Sequence, residues 1–291
     1  MPELPEVETV KRGLVKLITN QQIEAVEHNW DKGFPNSKTD VDQFLIGSKV
    51  IDVRRRAKVL IIDLSTEYSL LIHLKMTGQL VFVAKEVRFG AGHPNDSLIN
   101  DLPDKSTRVK FTFKDGSKLF FNDQRKFGWV KLFPTVEVEN IDFIHKIGPE
   151  PLSDDFTSIK FIERVRKRAG TTIKAAILDQ TVLAGVGNIY ADESLFAAKI
   201  HPATRVKDVS DAKLKLLLKE IKDVLQLSID KGGSSDRNYV NAEGKKGSYI
   251  SFAKVFRREG KPCPRCGTSI EKIRVAGRGT HICPRCQTSQ L

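Results

Sequence analysis

Met1-Pro2-Glu3-Leu4-Pro5-Glu6 opens the chain, and the rest of the sequence reads outward from it. A Met followed by a small residue such as Pro is normally trimmed, which leaves Pro2 with a free secondary amine. An α-amino group titrates near ~8, against ~10.4 for lysine, so much of it is unprotonated at neutral pH. Such an amine attacks a sugar or carbonyl carbon and forms an imine. Glu3, directly beside it, is a carboxylate able to give or take a proton. The two prolines equally suit the first turn of a helix, and six residues do not decide between these readings. A helix does follow: Leu4, Val7, Val10, Leu14, Leu17 and Ile18 recur at helical spacing, so residues 3 to about 19 form one amphipathic helix. Glu3, Glu6 and Glu8 crowd its positive end, while Lys11, Arg12 and Lys16 lie toward the negative one.

With 291 residues the chain is long enough for two ordinary domains, and 40% hydrophobic with 29% charged residues is the balance of a soluble globular protein. No apolar run approaches the ~20 residues of a membrane span. The acidic start is unlike a signal peptide, so the expected location is the cytoplasm. A net charge of +12 suits a polyanion such as nucleic acid. Between Lys254 and Leu291 there are nine Lys or Arg against two acids, and all four cysteines lie there as well.

From about 22 to 133 the pattern is one of strands. Val50–Val53, Val59–Leu64, Leu70–Leu74, Gln79–Val83, Val109–Phe113 and Lys118–Phe121 are short, β-branched or aromatic, and divided by turn residues such as Lys114-Asp115-Gly116-Ser117. This predicts an antiparallel sandwich or barrel. The polar stretch from about Lys85 to Lys105 reads as a long loop. Gly148-Pro149-Glu150-Pro151-Leu152 is a natural linker, and helical patterns follow at roughly 155–169, 172–180, 188–198 and 210–230. The polar, Gly-dotted segment after Gly232-Gly233, to about Ser251, reads as mobile.

Cys263-x2-Cys266 and Cys283-x2-Cys286 enclose sixteen residues, the spacing of a four-thiolate structural zinc site. Ile273–Arg278 and Thr280–Ile282 look like the strands of a zinc-held hairpin with Arg278 by the turn. Ala184-Gly185-Val186-Gly187-Asn188 joins two helical patterns, with Asn188 suited to cap the second, and a helix start with free amides suits a phosphate. Arg54-Arg55-Arg56-Ala57-Lys58 reads as the start of one strand and Asp123-Gln124-Arg125-Lys126-Phe127-Gly128 as the end of another. His73-Leu74-Lys75-Met76-Thr77-Gly78 holds one of only two methionines. Each of these stretches is unremarkable alone.

Together, and in this order from residue 2 to residue 287, they resemble the bacterial formamidopyrimidine-DNA glycosylase family. The resemblance implies an α+β fold: an N-terminal helix plus antiparallel β-sandwich (1–135), a linker (136–152), a helix-two-turn-helix domain with a mobile loop (153–252) and a C-terminal β-hairpin zinc finger (253–291). It implies a bifunctional glycosylase and lyase that excises 8-oxoguanine and ring-opened purines from duplex DNA in base excision repair. Pro2 would attack the sugar and form the imine, Glu3 would donate protons and Glu6 would support them. Lys58 would serve β-elimination and Arg278 δ-elimination, both also gripping phosphate with Asn188. Met76, Arg125 and Phe127 would fill the gap left by the extruded base, with Arg125 facing the orphaned cytosine. One structural Zn²⁺ would sit on Cys263, Cys266, Cys283 and Cys286, with no nucleotide or redox cofactor. The partner would be damaged double-stranded DNA, with no membrane, for a monomer in the bacterial cytoplasm at the nucleoid. The loop after Gly233 would cover the flipped base.

The sequence also departs from the family pattern. Ser106 and Arg108 stand where histidines are common, Gln124 and Lys126 interrupt a usual Asp-Pro-Arg-Arg-Phe-Gly, and Lys75 replaces a usual Gly. These departures are expected to touch DNA-backbone contacts and opposite-base preference. An endonuclease VIII-like enzyme for oxidised pyrimidines is the nearest alternative, disfavoured by Leu4 and by the Met76, Arg125 and Phe127 set. A non-catalytic nucleic-acid-binding protein would need neither Pro2 nor Glu3. A purely structural zinc ribbon would leave the first 250 or so residues unexplained.

Overall fold

The computed structural model describes residues 2–93, 96–233 and 249–288. The chain divides into two units, one of residues 1–145 with 231–248 and one of residues 146–230 with 249–291.

In the first unit, helix α1 (Leu4–Ile18) lies against two antiparallel sheets. One sheet has the order β1 (Ile23–His28), β7 (Thr107–Phe113), β8 (Lys118–Asp123), β5 (Gly78–Val83), β6 (Arg88–Gly92). The other runs β2 (Val50–Arg56), β3 (Val59–Leu64), β4 (Tyr68–His73), β9 (Trp129–Pro134). The inner faces of both sheets and the apolar stripe of α1 share one core, in which Val7, Val10, Leu14, Leu60, Ile72, Leu80, Phe111 and Phe121 are almost fully buried. This is the sandwich that the alternating pattern predicts. Gly13 lets the helix approach closely, since a Cβ there would lie 2.2 Å from the Phe89 ring.

Three readings of the sequence need correction. The 85–105 stretch is not all loop, because Arg88–Gly92 is the edge strand β6, paired with β5. Its glycines disguise it, yet Gly92 faces Gly78 so closely that a Cβ would meet the Gly78 carbonyl at 2.5 Å. The Arg54–Arg56 run ends β2 rather than starting a strand, and Ala57-Lys58 is the two-residue hairpin turn to β3, with Ala57 at φ 52°. Ile23–His28 and Trp129–Pro134 are strands as well, beyond the six that the sequence patterns single out.

In the second unit, helices α2 (Ser158–Arg166), α3 (Ile173–Leu178), α4 (Asn188–Ala197) and α5 (Asp211–Asp230) enclose a core that includes Phe161, Ile177, Tyr190, Leu195, Leu217 and Ile221. Thr157 and Thr172 cap α2 and α3 by accepting backbone N–H groups. The hairpin of β10 (Glu271–Val275) and β11 (Arg278–Ile282) follows. Of the segment expected to be mobile, residues 234–248 lie outside the described residues. Its end is a helical turn, Tyr249–Phe252, with Tyr249 buried against Tyr190 at 5.4 Å between ring centres.

Within the first unit, one ion pair fastens α1 to the β2–β3 hairpin. The Arg55 Nε lies 3.0 Å from a Glu8 carboxylate oxygen, and both side chains are nearly buried. Burial opposes the Glu8 charge, but the Arg55 hydrogen bond and charge, with Lys11 and Arg12, outweigh it and hold the carboxyl below its ordinary range. Arg55 also donates to the Ala57 carbonyl at 2.9 Å, which fixes the turn that carries Lys58. Glu8→Gln should remove the negative charge that faces this nearly buried guanidinium and cost about 3 kcal/mol, read as a lower urea midpoint. Glu27→Gln, whose exposed carboxylate pairs with half-buried Lys110, should cost less than about 1 kcal/mol. Equal losses for the two variants would refute the fastening role.

Candidate active site and metal centre

The chain start is built into the first unit. Pro2 is buried, Glu3 and Glu6 are 3% and 5% exposed, and Leu4 is fully buried. Glu3 is the N-cap of α1 and forms a capping box with Glu6, whose carboxylate accepts the Glu3 N–H at 2.8 Å. Pro5, in the first turn, has no N–H to satisfy. Pro2 and the two acids are thus held together at the positive end of a rigid helix. Met1 lies outside the described residues. Lys58, on the hairpin turn, is 7% exposed.

A second cluster gathers Met76, Arg125 and Phe127. They stand on two loops, β4–β5 and β8–β9, and one buried carboxylate holds both. Asp123 accepts the Thr77 hydroxyl and the N–H of Arg125 at 3.2 Å, of Phe127 at 2.8 Å and of Gly128 at 2.7 Å. Lys75 and Lys126 adopt φ 48° and 55°, as tight turns demand. Gly78 and Gly128 have no room for a side chain. The result is a small exposed tip. Arg125 lies 4.7 Å over the Phe127 ring and 3.9 Å from the Met76 sulfur, while Met76 and Phe127 are 40% and 50% exposed.

Arg108 and Ser106 are buried behind this tip instead of facing outward. Arg108 donates to the Asp123 carbonyl at 2.8 Å, and the Ser106 carbonyl accepts the Asp123 N–H at 2.8 Å. The residues at these two departures therefore brace the loop. His73 is also desolvated. Burial first, then the nearby charges of Lys75 and Lys58, bring its pKa down to about 3. Its Nδ1 accepts the Lys75 N–H at 3.0 Å, as only an unprotonated nitrogen can.

In the second unit Gly187, not Asn188, is the N-cap of α4, and Asn188 is its first residue. The preceding turn is clamped by Gln180, which donates to the Val186 carbonyl at 2.9 Å and accepts the Gly185 N–H at 3.0 Å. The Asn188 amide donates to the Gly279 carbonyl at 3.0 Å, which joins the helix start to the hairpin turn beside exposed Arg278. Fully buried Lys174 donates to the same carbonyl at 3.2 Å, to Thr280 at 2.7 Å and to Asp192 at 2.6 Å. Asp192 in turn accepts the His281 N–H at 2.9 Å. Glu193 accepts three successive N–H groups, of Lys254, Val255 and Phe256, while burial pushes its carboxyl upward. Sequence reading gave no role to Asp123, Thr77, Lys174, Asp192 or Glu193. The one available signal was a lone Lys inside the apolar run Ile173-Lys174-Ala175-Ala176-Ile177.

The four cysteine sulfurs lie within 4.8 Å of one another, with closest pairs at 3.5–3.9 Å. Four thiolates on a tetrahedral Zn²⁺ at about 2.3 Å stand about 3.8 Å apart, so the cluster fits that ion. Each pair sits on a knuckle whose backbone N–H points at sulfur, Arg265 to Cys263 and Cys286 to Cys283, both at 3.4 Å. Arg265 stacks on Phe196 at 4.3 Å and donates to the Phe196 and Ala197 carbonyls, tying the knuckle to the end of α4.

Pro2, Glu3, Glu6, Lys58, Met76, Arg125 and Phe127 belong to the first unit, and Asn188, Arg278 and the cysteines to the second. Three family models match in series. The formamidopyrimidine-DNA glycosylase N-terminal domain covers residues 1–130, the H2TH domain of the same family 147–239, and the zinc finger found in FPG and IleRS 260–288, with all four cysteines. The formamidopyrimidine-DNA glycosylase of Halalkalibacterium halodurans is 41% identical over 99% of this chain and 100% of its own. That of Streptococcus pyogenes is 42% identical over 99% and 98%. Among solved structures, a Lactococcus lactis FPG mutant with Fapy-dG containing DNA superposes with a TM-score of 0.87 at 36% identity, over 99% of this chain and 100% of that one. The same enzyme with abasic site containing DNA gives 0.87 as well. The fold expected from the sequence and the one structural zinc are both borne out.

Asp123→Asn replaces one acceptor oxygen by a donor and orphans N–H groups of the tip. Hydrogen exchange at Arg125, Phe127 and Gly128 should then speed up by about tenfold or more, the equivalent of one lost ~1.4 kcal/mol bond. Unchanged exchange would refute the hub. For His73, the unfolded chain gains a proton below about pH 6.5 that the native state refuses until about pH 3. Stability should therefore fall as pH drops through that window, by up to ~1.4 kcal/mol per unit from this group. Urea midpoints for His73→Gln should show a shallower slope between pH 7 and 4, and parallel curves would count against it.

Proposed function

This chain belongs to the formamidopyrimidine-DNA glycosylase family, and from that membership we propose that it excises oxidised purines, 8-oxoguanine and formamidopyrimidines, from duplex DNA in base excision repair. The observation that carries the reading is the buried chain start, where Pro2, Glu3 and Glu6 meet at the tip of α1. With Met1 removed, the Pro2 nitrogen attacks the sugar C1′ carbon, the bond to the base breaks, and the base leaves with a proton. Glu3 protonates the sugar ring oxygen, the ring opens, and an iminium links C1′ to Pro2. Glu6 positions Glu3 through the capping bond. Loss of the C2′ proton and the 3′ phosphate is β-elimination, assisted by Lys58. Loss of the 5′ phosphate is δ-elimination, assisted by Arg278. Lys58, Asn188 and Arg278 also hold backbone phosphates.

The base must leave the stack, at a cost of a few kcal/mol. The exposed Met76, Arg125 and Phe127 tip fits the role of filling the gap, since apolar wedges offset unstacking and Arg offers a fork for a base edge. The division proposed is a catalytic domain to residue 135, a linker to 152, the helix-two-turn-helix domain to 252 and the zinc finger beyond. The zinc ion is structural, holding the hairpin of Arg278. No helix among the described residues is long and apolar enough to cross a membrane. We place the protein, as a monomer on damaged DNA, in the bacterial cytoplasm at the nucleoid.

The test is borohydride trapping on a duplex with one 8-oxoguanine opposite cytosine. The cross-link should map to Pro2 and disappear when Met1 is retained. Glu3→Gln should lower the excision rate by roughly 10²–10⁴-fold. Tight binding with no adduct would sink the lyase assignment and leave a damage-binding protein that does not cut.

A further inference from the structure

One open hollow on the surface of the first unit adjoins the Met76 and Phe127 tip and stands apart from the Pro2 chemistry. It holds about 530 Å³. Trp30, Trp129 and Phe127 give it aromatic sides, Lys32, Lys75 and Lys126 supply charge, and none of the described residues that line it is an acid. A ligand that suits these walls is flat, aromatic and anionic, which describes a nucleotide. Both indoles are set in place. Trp129 meets the Phe143 edge at 5.2 Å, with Lys131 5.1 Å from its ring centre. Trp30 lies across Gly33, where a Cβ would come within 2.0 Å of its ring. The Gly33 carbonyl accepts the Val130 N–H at 2.7 Å, so the Trp30 turn is fastened to the strand that carries Trp129.

We propose that this cavity seats a nucleotide of the undamaged strand, next to the orphaned one, with its base against the indoles and its phosphate at the lysines. The inference rests on the DNA reading above. Met76 and Phe127 belong both to the cavity and to the tip that fills the gap on the damaged strand, so the opposing strand passes beside it. Arg125, which faces the orphaned base, does not line the cavity, and the cavity therefore takes the neighbour. Lys75 and Lys126, which depart from the family pattern, make the site a property of this chain.

Trp30 and Trp129 are the only tryptophans in the sequence, so tryptophan emission, excited selectively over the four tyrosines, reports on this site alone. The experiment titrates the full-length protein with a duplex holding a stable abasic analogue opposite cytosine, and follows binding by anisotropy of a labelled strand. Emission should change on binding. A duplex whose nucleotides flanking the cytosine are also abasic should bind about tenfold more weakly and leave emission unchanged, in line with the loss of one stacked base. Trp30→Ala should bind the first duplex about tenfold more weakly and no longer tell the two apart. Lys75→Ala, a milder change on a turn, should lower the salt slope by about one. Binding with unchanged emission, discrimination kept by Trp30→Ala, or an unaltered salt slope would each overturn the proposal. An equal emission change with adenosine monophosphate at the same concentration would assign the cavity to free nucleotide and overturn the strand assignment. Absence of anisotropy change with any damaged duplex would overturn the DNA reading itself, so the two failures are distinct.

Discussion

The Asp123 carboxylate, fully buried, fixes what the first unit presents to its surroundings. A carboxylate accepts and never donates, and four donors from two loops converge on it. Hydrogen bonds to a charged group contribute about 1.5–3 kcal/mol each, enough to hold loops whose tips carry little packing of their own. Exposed Met76 and Phe127 would otherwise collapse onto the nearest apolar surface. The turn residues Lys75 and Lys126 tolerate left-handed backbone because this carboxylate and the cramped Gly78 and Gly128 leave the loops no other path. A preorganised tip loses less entropy when it binds a partner than a floppy one.

The second unit uses the opposite charge for the same end. Lys174, a fully buried cation, gathers three acceptors and pins the hairpin that bears Arg278. The apolar core around the metal site is small: Phe196, Val255, Cys263, Ile270 and Cys283. So small a core cannot hold a hairpin by burial alone. The thiolate cluster, the Arg265 stack and the Lys174 and Glu193 networks supply what is missing.

Much of this was legible in the sequence. The apolar period of residues 4–18, the alternation of the strands, and the Cys-x2-Cys pairs specify their structures locally. Strand β6 was hidden because its two glycines suit a loop, and only their close approach to Gly78 and Leu98 shows why they stand there. The Arg run reads as a strand start because period-2 patterning does not say at which residue a hairpin reverses. The site residues themselves were legible as motif members, but their supports were not. Asp123, Lys174 and Glu193 act through partners from 2 to 106 positions away in sequence. A charged residue looks the same in a sequence whether solvent or four donors surround it.

The uneven burial of the thiolates has a further consequence. Cys263 and Cys283 are buried, whereas Cys266 and Cys286 are partly open. Peroxide reaching the protein meets the outer pair first, and a sulfenic acid there no longer ligates zinc. Without the ion, the hairpin of Arg278 would be left to the Lys174 and Asn188 bonds and the Arg265 stack. In an oxidising solution the outer pair would thus be the first ligands of the site to be lost.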